Sequence, residues 1–258
     1  MAYKDILVYL DPGADATGRL RLAVQLAKTH GARLIGVDAS DESALVGGWG
    51  DRALHIRPAF EAAVEDAGVV GHFIGADAEP ALGGGFAHCV DLIVASHPEG
   101  EARKLLREEV PDRVLIEAGA PVLILPQDWP YGPSGVNVVI AWNASREAAR
   151  AVHDAMPLLE KAKKVTIFSF SSRTHGLRAS AERLADHLLR HGVAARVSDW
   201  IDTGDVSALE ALFASLDTQD ADLIVAGAFS RSRLFETLFG SVSQDLLRQP
   251  TAPIFMSH

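Results

Sequence analysis

One cysteine, Cys89, stands in 258 residues, so no disulfide can form within the chain. It lies in Phe86-Ala-His-Cys-Val90, just ahead of an apolar run, and is expected to pack there as a small buried hydrophobe. No apolar run approaches 18 residues, and no charged-then-apolar leader opens the chain. Neither a membrane span nor a secretory signal is therefore expected, which fits the cytoplasm. Basic side chains are also in short supply, with 24 Lys and Arg against 34 Asp and Glu, for a net charge of −10. Neutralising a nucleic-acid backbone needs a basic face, so nucleic acid is not expected as the partner.

Familiar catalytic patterns are missing too. There is no Gly-x4-Gly-Lys-Ser/Thr loop, no Gly-x-Gly-x-x-Gly after a strand and no Gly-x-Ser-x-Gly. His187 and His191 stand one helical turn apart, but no Glu-x-x-His pattern accompanies them, and they read as a solvated helix face. No general base with an evident partner stands beside a candidate site. At most a slow hydrolysis is expected.

What the chain has is an internal repeat. Asp91-Leu-Ile-Val-Ala-Ser96 recurs as Asp222-Leu-Ile-Val-Ala-Gly227, 131 residues on. Ala120-Pro-Val-Leu-Ile-Leu125 recurs as Ala252-Pro-Ile-Phe-Met-Ser257, and Ile6-Leu-Val-Tyr-Leu-Asp11 parallels Val138-Val-Ile-Ala-Trp-Asn143, each at an offset of 132. A period this long indicates two copies of one domain. The Pro- and Gly-rich stretch 127–135 reads as the linker, leaving domains at 1–126 and 136–258. Within each copy, short apolar runs alternate with helical patterns. Strands are expected at Ile6–Leu10, Arg33–Val37, Gly71–Ile74, Leu92–Ala95 and Val122–Leu125, then at Val138–Ala141, Val165–Phe170, Ala195–Trp200, Leu223–Ala226 and Ile254–Met256. Helices are expected at Thr17–Thr29, Arg146–Leu159, Leu177–His191, Val206–Leu216 and Arg233–Gln249. Continuous apolar strands suggest burial on both faces, and the alternation implies an α/β fold with a parallel sheet in each domain.

The segment after Leu223–Ala226 carries the chemistry. It runs Gly227-Ala-Phe-Ser230-Arg-Ser-Arg-Leu-Phe-Glu-Thr-Leu-Phe-Gly240-Ser241-Val242-Ser243 and leads into the helical run Gln244 to Gln249. Free amides at that helix start could face an anion, and the hydroxyls of Ser241 and Ser243 add uncharged donors. Equally, a strand, a turn and a serine-capped helix would use the same residues. The segment resembles the nucleotide loop of the universal stress protein family, Gly-x2-Gly-x9-Gly-Ser/Thr, with Ser230 where the family has its second glycine.

That resemblance implies five-stranded domains of strand order 3-2-1-4-5, the nucleotide-binding HUP type. It implies ATP or another adenine nucleotide as ligand, held between the first and fourth strands. The site would comprise Ala141, Trp142, Asn143, Phe170, Ala226, Gly227, Ser230, Gly240, Ser241, Val242 and Ser243. The Phe170 backbone would read the adenine edge and its ring would cover the base or pack in the core. Trp142 would contact ligand or lie under the linker. The family usually has an aspartate where Asn143 stands. If its charge helps hold Mg with the phosphates, this chain should depend less on metal; Asn143 or Ser145 could also simply cap the helix from Arg146. Arg231 and Arg233 could reach phosphates or stay solvated.

The halves differ where an anion would sit. Gly240 and Ser241 align with Glu108 and Glu109, and Gly227 with Ser96. Carboxylates there would satisfy the helix dipole and repel phosphates. Residues 1–126 carry 11 basic and 19 acidic side chains, while 127–258 carry 13 and 15. The first half is thus expected to be degenerate for nucleotide and the second competent. Its terminal strands, Pro121–Leu125 and Pro253–Met256, should pair the halves as an intramolecular pseudo-dimer, with a homodimer also possible. The expected role is a cytoplasmic stress-response or regulatory protein. The alternatives are a scaffold without nucleotide, a binder of another small ligand or, last, a slow ATP hydrolase.

Overall fold

Asp91 and Asp222, the residues that mark the repeat, start the fourth strand of each copy by tying down the start of the first. The Asp91 carboxylate accepts from the Lys4 and Asp5 amides at 2.6 and 3.0 Å. The Asp222 carboxylate accepts from the amides of Gly135, Val136 and Asn137 at 2.8, 2.9 and 3.1 Å. Those amides lie at a strand entrance, where no ladder partner would otherwise satisfy them all. The computed structural model describes residues 2–11, 16–40, 55–75, 83–96, 112–126, 129, 134–171, 176–202, 204–228 and 252–258. The chain divides into two compact units, Met1–Tyr131 and Gly132–His258.

In the first unit, strands β1 (Asp5–Leu10), β2 (Arg33–Asp38), β3 (Gly71–Ile74), β4 (Leu92–Ser96) and β5 (Val122–Leu125) stand in the order 3-2-1-4-5. All four strand pairs are parallel. Among the described residues, helices α1 (Ala16–His30), α2 (Ile56–Ala67) and α3 (Asp112–Glu117) connect them, with a 3-10 turn at Gly83–His88. Helix α1 ends at Gly31, whose φ of +60° is the left-handed conformation expected of a C-terminal cap.

The second unit repeats the plan. Strands β6 (Asn137–Ala141), β7 (Lys164–Ser171), β8 (Ala195–Ile201), β9 (Leu223–Gly227) and β10 (Ile254–Ser257) lie in the order 8-7-6-9-10, which is again 3-2-1-4-5 within the unit. Their pairs are parallel as well. Helices α4 (Arg146–Leu159), α5 (Arg178–Arg190) and α6 (Ala208–Gln219) connect them. The Ser207 side chain and Glu210 form a reciprocal capping box at the start of α6.

Burial on both faces holds for β4, β5 and β10, which are buried throughout. It does not hold for β3 and β8. Each closes one side of its unit's strand order, and Gly71, His72, Trp200 and Ile201 are exposed. Cys89 also departs from expectation, being exposed. Its amide closes the 3-10 turn onto the Phe86 carbonyl at 2.8 Å, and the chain becomes buried strand only from Leu92. The expected helix Arg233–Gln249 lies outside the described residues.

Candidate functional site

An open parallel sheet places its ligand where neighbouring connections leave in opposite directions, at the strand C-termini. In the second unit that point lies between β6 and β9, whose last paired residues are Ala141 and Ala226. Their methyl groups are the smallest side chains that still fill a strand. Beyond Ala141 the ladder continues one step, as the Trp142 amide donates to the Phe168 carbonyl at 2.8 Å. The chain then turns sharply. Ala144 adopts φ +59°, a conformation that disfavours a Cβ. Asn143 holds the turn by accepting the Ser145 amide on Oδ1 at 3.1 Å. Ser145 is the N-cap of α4 and accepts from the Ala148 amide at 3.1 Å. Asn143 and Ser145 therefore shape the helix start together.

Helix α4 begins directly on the end of β9. A Cβ on Gly227 would fall 2.4 Å from the Ala148 nitrogen and 2.6 Å from the Glu147 carbonyl carbon. The close approach signalled by this glycine is the first turn of α4. Glycine lets that turn settle against the end of β9, at the switch point.

Trp142 is 8% exposed, and its indole nitrogen donates to the Ser180 hydroxyl of α5 at 3.1 Å. It is thus fastened to α5. Phe170 is buried in β7, in register with Trp200 of β8. On either side of it, the Ser169 and Ser171 hydroxyls both donate to the Asp199 carboxylate, at 2.6 and 2.8 Å. Ser171 also accepts the Leu177 amide at 2.9 Å, which fixes the entry to α5. Ser230, Gly240, Ser241, Val242 and Ser243 lie outside the described residues, as do Arg231 and Arg233.

A charged corner that the sequence reading missed adjoins Gly227. A cavity of about 340 Å³ is lined by Arg146, Glu147, Arg150 and His258. Glu147 is 5% exposed and receives the Arg146 Nε at 2.6 Å. Burial pulls its carboxyl up, but hydrogen bonds from Arg146 and from its own amide, the Arg146 charge and Ser145 outweigh that and hold it below the usual glutamate range. Arg150 lies 3.6 Å from Asp154, which also accepts from Ser257 at 2.6 Å. The available signal was arginine at the first and fifth positions of a serine-capped helix. Among the described residues, no three His, Cys, Asp or Glu side chains are grouped so as to hold a metal ion. Asn143 Oδ1 accepts from the Ser145 amide and the Glu147 carboxylate from Arg146.

The matching corner of the first unit is built differently. Asp11 follows β1 and Ser96 ends β4, and the buried Arg19 of α1 donates to both. The aligned residues His97, Pro98, Glu108 and Glu109 lie outside the described residues.

Known proteins match both the whole chain and its second half. The sequence model of the universal stress protein family matches residues 137–258. No curated protein matches the sequence. Over the full chain, the fold is similar to that of a universal stress protein from Archaeoglobus fulgidus DSM 4304. That structure has a TM-score of 0.73 and 20% identity, and the match covers 98% of this chain and 97% of the other. A putative universal stress protein from Pseudomonas aeruginosa UCBPP-PA14 matches with a TM-score of 0.62 and 15% identity, over 99% and 93% of the two chains. Both likenesses concern the fold and extend over both units.

Proposed function

We propose, from the match of residues 137–258 to the universal stress protein family model, that the chain binds one adenine nucleotide in its second unit and acts as a stress-response or regulatory protein with little or no catalysis. The observation that carries this reading is the seating of the first turn of α4 on Gly227, between the ends of β6 and β9. It brings the helix start, with Arg146 and Arg150, to the corner where an open α/β sheet takes its ligand. Phosphates would lie on the amides and hydroxyls of Gly240 to Ser243, with the two arginines supplying positive charge nearby. Ala141 and Ala226 leave room for the base or ribose, and Phe170 borders it through its backbone. The two halves would pair through β5 and β10, and the covalent link would raise their local concentration to roughly millimolar. A cytoplasmic setting fits this role.

A second reading, a scaffold without nucleotide, is favoured by Ser230 at a glycine position and by the internal commitments of Trp142 and Asn143. Mass spectrometry of small molecules released from the purified protein separates the two. Release of an adenine nucleotide at close to one per chain supports the first reading. Its absence, with no binding of added ATP, ADP, AMP or cyclic AMP, supports the scaffold.

A further inference from the structure

In the first unit, three side chains converge at the switch point. Helix α1 turns one face to the sheet, along Arg19, Ala23, Leu26, Ala27 and His30, all buried. Arginine on such a face is out of keeping with its neighbours. It is 4% exposed, and its charged head reaches the ends of both central strands. Arg19 Nη1 donates to the Ser96 hydroxyl at the end of β4, and Nη2 donates to the Asp11 carboxylate just past β1. Asp11 and Ser96 are each 9% exposed. A buried cation is stable only when paired and hydrogen-bonded, and the planar fork of a guanidinium suits two acceptors on separate strands.

The internal repeat shows what this arrangement replaces. At the offset of 132, Asp11 and Arg19 correspond to Asn143 and Ala151, and at 131 Ser96 corresponds to Gly227. The second unit therefore has no charge and little bulk at the three positions where the first has an ion pair and a hydroxyl. Ala151 is fully buried, so α4 packs a methyl group where α1 sends a guanidinium.

We propose that Arg19 is a built-in occupant of the first unit's switch point. Asp11 and Ser96 form a guanidinium-recognition site that the chain fills from its own helix. This tether joins the ends of β1 and β4 and leaves a carboxylate, already neutralised, where an anionic ligand would have to enter. The inference stands on the first unit's geometry and does not depend on what the second unit binds.

Chemical complementation of the full-length chain tests it. Arg19→Ala should lower the melting temperature by on the order of 10 °C, since it leaves Asp11 buried without its counter-charge. Millimolar methylguanidinium chloride should raise it again, saturably, in this variant but not in the natural chain. Methylammonium chloride at the same concentration should not. Adding Asp11→Asn to Arg19→Ala should abolish the rescue. Should Arg19→Ala fail to fold, Arg19→Lys serves instead: it keeps the charge but cannot fork to both strands, and should melt below the natural chain. The proposal is overturned if Arg19→Ala or Arg19→Lys melts like the natural chain, if methylguanidinium gives no rescue, or if rescue survives the loss of the Asp11 charge.

Discussion

Gly227 shows how one absent carbon can set a site. A methyl there would meet backbone atoms of Glu147 and Ala148, which cannot swing aside as a side-chain tip can. Gly227→Ala must therefore push the start of α4 away from β9. Overpacking of this kind costs about 1–3 kcal/mol. Denaturant unfolding should show a loss in that range, and ligand affinity should fall with it; an unchanged midpoint would refute the contact. Glu147 makes a prediction in pH. Its carboxyl is held below the usual glutamate range, so the folded state favours the charged form. The resulting stability is fully present above the unfolded value, about 4.3, and is lost as pH falls through the lowered folded value. Glu147→Gln should thus be less stable than the natural chain at neutral pH. The gap should narrow as the solution is acidified below about pH 4. A gap that stays constant with pH would mean that the charge contributes nothing.

At the scale of elements, α4 depends on its first turn. Ser145 satisfies the Ala148 amide, and Asn143 orders the residue before it. Ser145→Ala should cost about 1 kcal/mol, read from thermal unfolding, and should loosen the corner beneath Gly227. The sequence made most elements legible, because apolar runs of four to eight residues between polar helices leave few alternatives to a parallel sheet. The bounds of α4 were read correctly to the residue, since a serine cap precedes it and its apolar stripe is regular. Three features were hidden for separable reasons. Exposure of β8 depends on its place beside β7 alone within the unit, which no local pattern encodes. The role of Asp91 and Asp222 as amide acceptors needs partners 85 to 87 residues away. The grouping of Arg146 and Arg150 with His258 needs β10, more than a hundred residues on, to be placed beside the start of α4.

For the whole molecule, duplication has kept one architecture and changed one corner. Both units retain the strand order and the aspartate at the start of the fourth strand. They diverge at Asp11, Arg19 and Ser96 against Asn143, Ala151 and Gly227. That divergence agrees with the sequence difference between Glu108-Glu109 and Gly240-Ser241, on which the proposal of one site per chain rests. Pairing through β5 and β10 has its own check. Cysteines placed on the outer edges of these strands, in a Cys89→Ala background, should form a disulfide within one chain under mild oxidation. Only intermolecular products would count against the pairing. The central claim is tested most directly by titrating ATP into the natural chain and into Gly240→Glu by calorimetry. The account predicts one site per natural chain and affinity at least tenfold weaker in the variant, since a charge-assisted contact is worth about 1.5–3 kcal/mol and the new carboxylate repels phosphate. Two equal sites, or unchanged affinity in Gly240→Glu, would contradict it.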